Sequence, residues 1–265
     1  MKIVVMGGTG LIGSKLVNKL REIGHDAVAA SPDNGVNALT GEGLHEALAD
    51  ARVVVDVTNS RSFEEKAVMD FFRTSTANLL AAERTAGVTH HVALSVVGTD
   101  RLQDSGYFRA KMVQENLIKA SPVPYTILRS TQFFEFVSRI AQASADGKSV
   151  RAASAYIQPI VSDDVVSALA EVAVEPPANG IVEVAGPDRF RLDDLLRKLL
   201  KATGDQREVI TDRSARYFGA LLQEQTLTSE APSLLGTMHF KDWVYSTLQP
   251  AMAQRAGNGI SARAH

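Results

Sequence analysis

Gly7-Gly8-Thr9-Gly10-Leu11-Ile12-Gly13 is the stretch whose reading decides the fold. It separates a short apolar run, Ile3-Val4-Val5-Met6, from a segment with apolar residues at 12, 16, 17, 20 and 23. A continuous apolar run that stops at glycine reads as a fully buried strand of a parallel sheet. Apolar spacings of three and four read as a helix, here Leu11 to Ile23, with one buried face. Gly24 then ends that helix in the left-handed conformation common at such ends.

The three spaced glycines each have a physical task. Gly7 permits the tight turn out of the strand. Gly10 keeps the backbone bare, so a diphosphate can approach it. Gly13 lets the helix lie close to the sheet. The free N–H groups and the helix dipole then favour an anion. A strand before the motif and a helix after it make this the opening of a dinucleotide-binding βαβ unit. Gly7, Thr9, Gly10, Leu11, Ile12 and Gly13 are the expected cofactor-binding residues.

An acid at the end of the second strand, Ala27 to Ala30, would bond a ribose 2′-hydroxyl and favour NAD. That place holds Ala30-Ser31, and no Lys or Arg lies between Arg21 and Arg52. Ser31 and Asn34 are expected to donate to a 2′-phosphate. The reading favours NADP (NADPH), with NAD as the second candidate.

Outward from the turn, strand and helix patterns alternate. Leu44–Leu48 reads as a helix, Arg52–Val57 as a strand and Glu64–Ala86 as a helix before Gly87. His91–Ser95 reads as a strand, Tyr107–Ala120 as a helix and Tyr125–Leu128 as a strand. This is the pattern of an α/β fold with a doubly wound parallel sheet. Beyond residue 130 the pattern loosens. Helices are expected over Phe133–Ala145, from Asp163-Asp164, over Leu192–Leu200 and over Phe240–Leu248. Strands are expected over Ile157–Val161 and Ile181–Val184. Asp163 and Asp164 read as a helix cap after Ser162, and Trp243 as a core anchor. The tail from Ala256 to His265 is small and polar and is expected to fray. The division that follows is a Rossmann domain over 1–130, rejoined by about 156–175. A small C-terminal substrate lobe takes 131–155 and 176–265.

Composition sets the outer bounds. The chain has 265 residues, 45% hydrophobic and 22% charged, with formal net charge −2. Such a balance gives no basic footprint for nucleic acid. Cysteine is absent, which removes disulfides, thiolate metal sites and a Cys nucleophile. No apolar run is long enough for a membrane span or a secretory signal, so a cytoplasmic protein is expected. Homo-oligomerisation is left open. His90-His91 begins a strand, where successive side chains face opposite ways, and no metal site is expected.

Tyr107 and Lys111 stand four apart at the start of a helix, so they share a face. A neighbouring ammonium lowers a phenol's pKa and suits it to proton transfer. Ser95 ends the preceding strand, where a hydroxyl can bond a substrate carbonyl. Ser95, Tyr107 and Lys111 are therefore the candidate catalytic residues, with Lys111 also placed to hold the nicotinamide ribose. Gln132, Phe133 and Phe134 are candidates for the substrate pocket.

These residues resemble the atypical short-chain dehydrogenases/reductases, and within them the NmrA-like branch. The similarity rests on the glycine stretch, Thr76–Ala82, Gly87-Val88 and Val92–Ser95. It continues through Tyr125–Arg129, Gln132-Phe133-Phe134, Pro159-Ile160 and Val184–Pro187, covering about residues 1–200. The resemblance implies an NAD(P)-dependent fold in which Ser95 orients substrate, Tyr107 moves the proton and Lys111 binds ribose. It also implies that Thr58 and Asn59 line the cofactor cleft. Asn37-Ala38-Leu39-Thr40-Gly41 departs from the pattern by lacking the Asp that often contacts adenine. Many NmrA-like proteins have lost the Tyr/Lys pair and act as redox sensors, whereas Tyr107 and Lys111 are both present here.

The resulting expectation is an NADPH-preferring oxidoreductase passing hydride to a small aldehyde, ketone or quinone, with Tyr107 as proton donor or acceptor. The alternative is a non-catalytic NADP-binding redox sensor. A sugar-nucleotide epimerase ranks third, because the chain is short for a large sugar-nucleotide lobe.

Overall fold

The computed structural model describes residues 1–248; the tail expected to fray lies outside them. The opening unit consists of β1 (Lys2–Met6), α1 (Leu11–Glu22) and β2 (Asp26–Ala30). α2 (Leu44–Leu48), β3 (Val53–Asp56), α3 (Glu65–Ala86), β4 (His90–Val96), α4 (Gly106–Ala120) and β5 (Tyr125–Ser130) continue the alternation. Buried strands and one-faced helices leave strong period signals, and these bounds follow them closely.

The second half departs more from its sequence reading. The helix expected over 133–145 is a short turn at Phe134–Phe136 followed by α5 (Val137–Ala143). It stops because Gly147-Lys148 is a hairpin turn, with Gly147 at φ +60°. That turn joins β6 (Ala145–Asp146) to β7 (Ser149–Ala152). β8 covers only Tyr156–Ile157 of the strand expected over 157–161, and Pro159 beyond it has no N–H to offer a ladder. α6 (Ser162–Val174) has Val161 at its N-cap position, and the Ser162 N–H donates to Glu135 Oε1 at 3.2 Å. Asp163 instead pairs with Lys15 of α1 at 2.8 Å.

β9 (Gly180–Ala185), β10 (Phe190–Arg191), α7 (Leu192–Thr203) and β11 (Glu208–Thr211) follow. A hairpin of β12 (Arg216–Tyr217) and β13 (Ala220–Leu221) comes next, then β14 (Leu234–Leu235). α8 (Phe240–Trp243) continues into a wider helical turn over Val244–Leu248.

Seven strands form one parallel sheet in the order β14-β9-β5-β4-β3-β1-β2. β9 and β14 therefore belong to the sheet, although the sequence division gave residues 176–265 to the lobe. Helices α1 and α6 cover one face, through Leu16, Leu20, Val165 and Leu169. Helices α2, α3 and α4 cover the other, through Leu44, Leu48, Leu79 and Ile118. β1 has β2 on one side and β3 on the other. The chain changes direction there, which opens a crevice at the carboxyl ends of β1 and β3. The lobe has its own core, built around Phe134, Leu195, Leu199, Phe240 and Trp243.

Candidate functional site

A cavity of about 940 Å³ opens at that crevice and runs from the glycine turn, past β3 and β4, to the lobe. Gly7 has φ +79° and its N–H donates to Ala30 O at 2.8 Å. A Cβ on Gly13 would stand 2.2 Å from Gly7 O, so the helix can lie this close only without one. A Cβ on Gly10 would meet only Gly7 O, at 3.4 Å. Gly10 is therefore bare toward the cavity and not toward the protein. α1 begins at Gly10 with no side-chain cap and no acid in its first turn. The positive helix end is left to whatever anion the cavity takes, so the turn fits a diphosphate. Gly8 is a requirement that the three-glycine pattern does not show: its Cβ would lie 2.6 Å from Ala29 Cα.

At the β2 end, Ser31 is buried and lines the cavity. Asn34 braces the loop instead. Its Oδ1 accepts from Ser31 N at 2.7 Å and its Nδ2 donates to Ala29 O at 2.7 Å. Asp33 lines the cavity, and Thr9 Oγ1 donates to Asp33 Oδ2 at 3.3 Å. Asp33 sits three residues beyond the strand end in a turn, so the sequence puts it nearby without showing that its carboxylate faces the cavity. Thr58 and Asn59 both line the cavity. The Thr58 hydroxyl donates to buried Asp56 Oδ1 at 2.7 Å.

The three candidate catalytic residues all border the cavity, but their polar atoms do not converge. Ser95 Oγ donates to Glu115 Oε1 at 2.7 Å, inside a buried network. Arg129 clamps the same carboxylate through Nε at 2.9 Å and Nη2 at 2.8 Å, and reaches Asp100 through Nη1 at 2.8 Å. Burial alone would raise the Glu115 carboxyl, but Arg129 and Ser95 hold it below its usual range. Lys111 is fully enclosed. Its ammonium donates to Leu94 O at 2.9 Å and to Gln114 Oε1, and sits 4.6 Å from the Phe72 ring centre. Burial pushes it down to about 8, against the pull of Asp56 and Glu115.

Tyr107 is governed by other neighbours. Burial pushes its phenol up to about 12, and the nearby Asn59 side chain pulls the other way. The expected lowering by Lys111 is not present, because that ammonium is held on β4 and α4. A phenol of this kind keeps its proton at neutral pH and can donate it.

In the last candidate group, Gln132 and Phe133 line the cavity. Gln132 is 7% exposed, and neither its Oε1 nor its Nε2 has a partner. Phe134 does not belong to the pocket. It is fully buried in the lobe core, 5.3 Å from the Phe240 ring and 5.4 Å from Trp243. Phe63, Phe136, Arg139, Tyr217 and Phe218 also line the cavity, and the sequence reading missed their role. Phe63, Tyr217 and Phe218 lie in segments without period, where spacing carries no directional information, and Phe136 and Arg139 lie at the irregular start of α5, where the helix face is not set by the sequence period. His90 and His91 point apart, to Thr126 and Glu83. Among the described residues no group of three metal-ligating side chains occurs, and no helix is long and apolar enough to cross a membrane.

Comparison with known proteins agrees with this geometry. A photosystem II assembly factor, Ycf39 of Cyanophora paradoxa, is 25% identical over 149 residues, covering 51% of this chain and 46% of that protein. The chain spans about half the length of the curated relatives it matches. A short-chain dehydrogenase/reductase superfamily protein from Agrobacterium tumefaciens, solved with bound NAD, superposes with TM-score 0.74 at 16% identity, over 98% of this chain and 100% of that one. MoeE5 in complex with UDP-glucose and NAD gives TM-score 0.71 at 18% identity, over 97% and 99%. At such identities the likeness is one of fold. The model of a family described as NAD(P)H-binding matches residues 7–176. That match takes in the glycine turn and most of the cavity floor: the chain belongs to the NAD(P)H-binding family, with the short-chain dehydrogenase/reductase fold its sequence resembles.

Proposed function

We propose that the chain is an NAD(P)H-dependent reductase of a small carbonyl compound, with Tyr107 as the proton donor. The observation that carries this reading is the placement of a protonated phenol in the same cavity as the glycine turn. Bound NAD(P)H supplies a hydride to the carbonyl carbon. Tyr107 gives its proton to the carbonyl oxygen, and the Asn59 side chain steadies the phenolate left behind. The substrate becomes an alcohol, and the phenolate regains its proton from water. Leu11, Ile12 and Gly13 would hold the diphosphate on the free main-chain N–H groups of the helix end, while Gly7 and Gly10, whose own N–H groups bond Ala30 O and Gly7 O, leave the backbone bare for its approach.

The NADPH preference expected from the sequence meets one opposing feature, the Asp33 carboxylate beside Thr9. A carboxylate there favours a free 2′-hydroxyl and disfavours a phosphate.

The deciding experiment follows dinucleotide oxidation across a panel of aldehydes, ketones and quinones. Tyr107→Phe is expected to cut turnover about 100-fold or more while leaving dinucleotide affinity unchanged. Full turnover in that variant removes Tyr107 from the mechanism.

One observation favours a second reading. The Ser95 hydroxyl and the Lys111 ammonium are both engaged in internal bonds. A non-catalytic dinucleotide sensor or assembly protein needs the turn but not these groups. Tight dinucleotide binding with no turnover on any carbonyl would select that reading.

A further inference from the structure

Five aromatic side chains on the cavity wall form a closed circuit. Phe63 lies 5.6 Å from Tyr107, which lies 5.4 Å from Phe108. Phe108 lies 6.4 Å from Tyr217, which lies 4.8 Å from Phe218. Phe218 returns to Phe63 at 6.4 Å, the two planes inclined by 24°. The residues come from the loop after β3, from α4 and from the β12–β13 hairpin. Phe108 and Tyr217 are buried in the lobe core, but Phe63 is 48% and Phe218 37% exposed.

Phe218 is held there against its backbone preference. Phe218 has φ +47° and Gly219 φ +94°. They are the two central residues of the hairpin turn, between the paired Tyr217 and Ala220. A two-residue turn with both φ values positive favours Asn or Asp first and Gly second. Gly219 obeys that rule and Phe218 breaks it. The aromatic rings Phe218 meets are Phe63 and Tyr217, fellow members of the circuit. A disfavoured conformation that presents an exposed ring to a cavity points to a ligand rather than to the turn.

We propose that this circuit is a cage for a flat aromatic ring, and that the ligand bound beside the dinucleotide carries one. The substrate class rests on the reductase reading above; the binding preference does not. Ring faces and edges pair favourably with another aromatic system. The circuit offers only two polar atoms, the phenols of Tyr107 and Tyr217, too few for a sugar. Arg61 and Arg139 line the same cavity, so a negative substituent on the ring is accommodated.

The test titrates the full chain calorimetrically with 2-naphthoate and with its saturated counterpart, decahydro-2-naphthoate. Neither has a carbonyl group that accepts hydride. Both titrations are run without dinucleotide and again with ADP-ribose present. The aromatic acid is expected to bind at least tenfold tighter. Phe218→Asn is expected to hold or raise the melting temperature, because Asn suits the turn, and to weaken 2-naphthoate at least fivefold. Phe63→Leu is expected to weaken it similarly. Equal binding of the two acids, no binding of 2-naphthoate, or an unchanged preference in Phe218→Asn overturns the cage. A separate ADP-ribose titration keeps the readings apart. ADP-ribose binding without naphthoate binding overturns the cage alone, and the reverse result supports the cage while overturning the dinucleotide reading.

Discussion

Ser95 gives its hydroxyl proton to Glu115 at 2.7 Å, and that carboxylate is also clamped by Arg129. The bond ties the end of β4 to α4 beneath the cavity. Ser95→Ala removes one donor from a buried charge, so it is expected to cost about 1–2 kcal/mol of stability, read by urea unfolding. Its effect on turnover should stay at least tenfold smaller than that of Tyr107→Phe. A larger turnover loss with unchanged stability would mean that the hydroxyl swings to the substrate.

The glycine turn separates packing from binding. Gly13→Ala places a Cβ against Gly7 O. A loss of about 2–3 kcal/mol is expected, visible as a lowered melting temperature. Gly10→Ala meets no close atom of the protein. It should fold normally and bind ADP-ribose about tenfold or more weakly, measured by calorimetry. Equal damage to folding by both variants would contradict these assignments.

Asp33 faces the β2 end of the cavity beside Thr9, the end proposed for adenosine. Asp33→Ser is expected to raise the ratio of NADPH to NADH affinity by about tenfold, which corresponds to about 1.4 kcal/mol. Fluorescence titration of both reduced forms reads it. An unmoved ratio would place the 2′-position elsewhere.

Gln132 lines the cavity, and both of its amide atoms are buried without a partner. Gln132→Leu removes a desolvated polar group, so stability should hold or rise by up to about 1–2 kcal/mol. Affinity for NAD(P)H should fall about tenfold while ADP-ribose is unaffected, because the amide offers a donor and an acceptor to a carboxamide. Equal losses for both ligands would remove the nicotinamide from this contact.

His90 is buried against Thr126, and burial, with a smaller push from His91, lowers its pKa from 6.5 to about 4. The unfolded chain therefore binds the extra proton first as pH falls. His90 contributes stability that is full above pH 6.5 and lost between 6.5 and 4. Relative to His90→Gln, the parent chain should lose roughly 2 kcal/mol across that window in urea melts. Parallel curves would show that His90 stays solvated.

The sheet was legible because its strands are continuous apolar runs punctuated by glycine, as at Met6-Gly7. The glycine tasks were legible for the same local reason. Asn34 braces its loop while Asp33 faces the cavity, since a tight turn decides which side chain points inward and spacing does not. Lys111 was read correctly as sharing a face with Tyr107. Its ammonium nevertheless bonds Gln114, one turn along α4, and Leu94 O on β4, and the contact with β4 is one that helical spacing cannot show. Phe134 looked like its neighbour Phe133, yet one packs on Trp243 and the other faces the cavity. Phe63 and Phe218 meet across 155 residues of chain, beyond any local pattern.

The lobe is stitched to the sheet at five crossings. The chain leaves after Ser130, returns at Ser162, leaves again after Ala185, comes back at Leu234 and leaves once more for Phe240. A shell fastened this often has no single pivot about which to swing. Guests therefore enter by the open flank rather than beneath a lifting cover, and the width of the chamber is settled when the polypeptide folds.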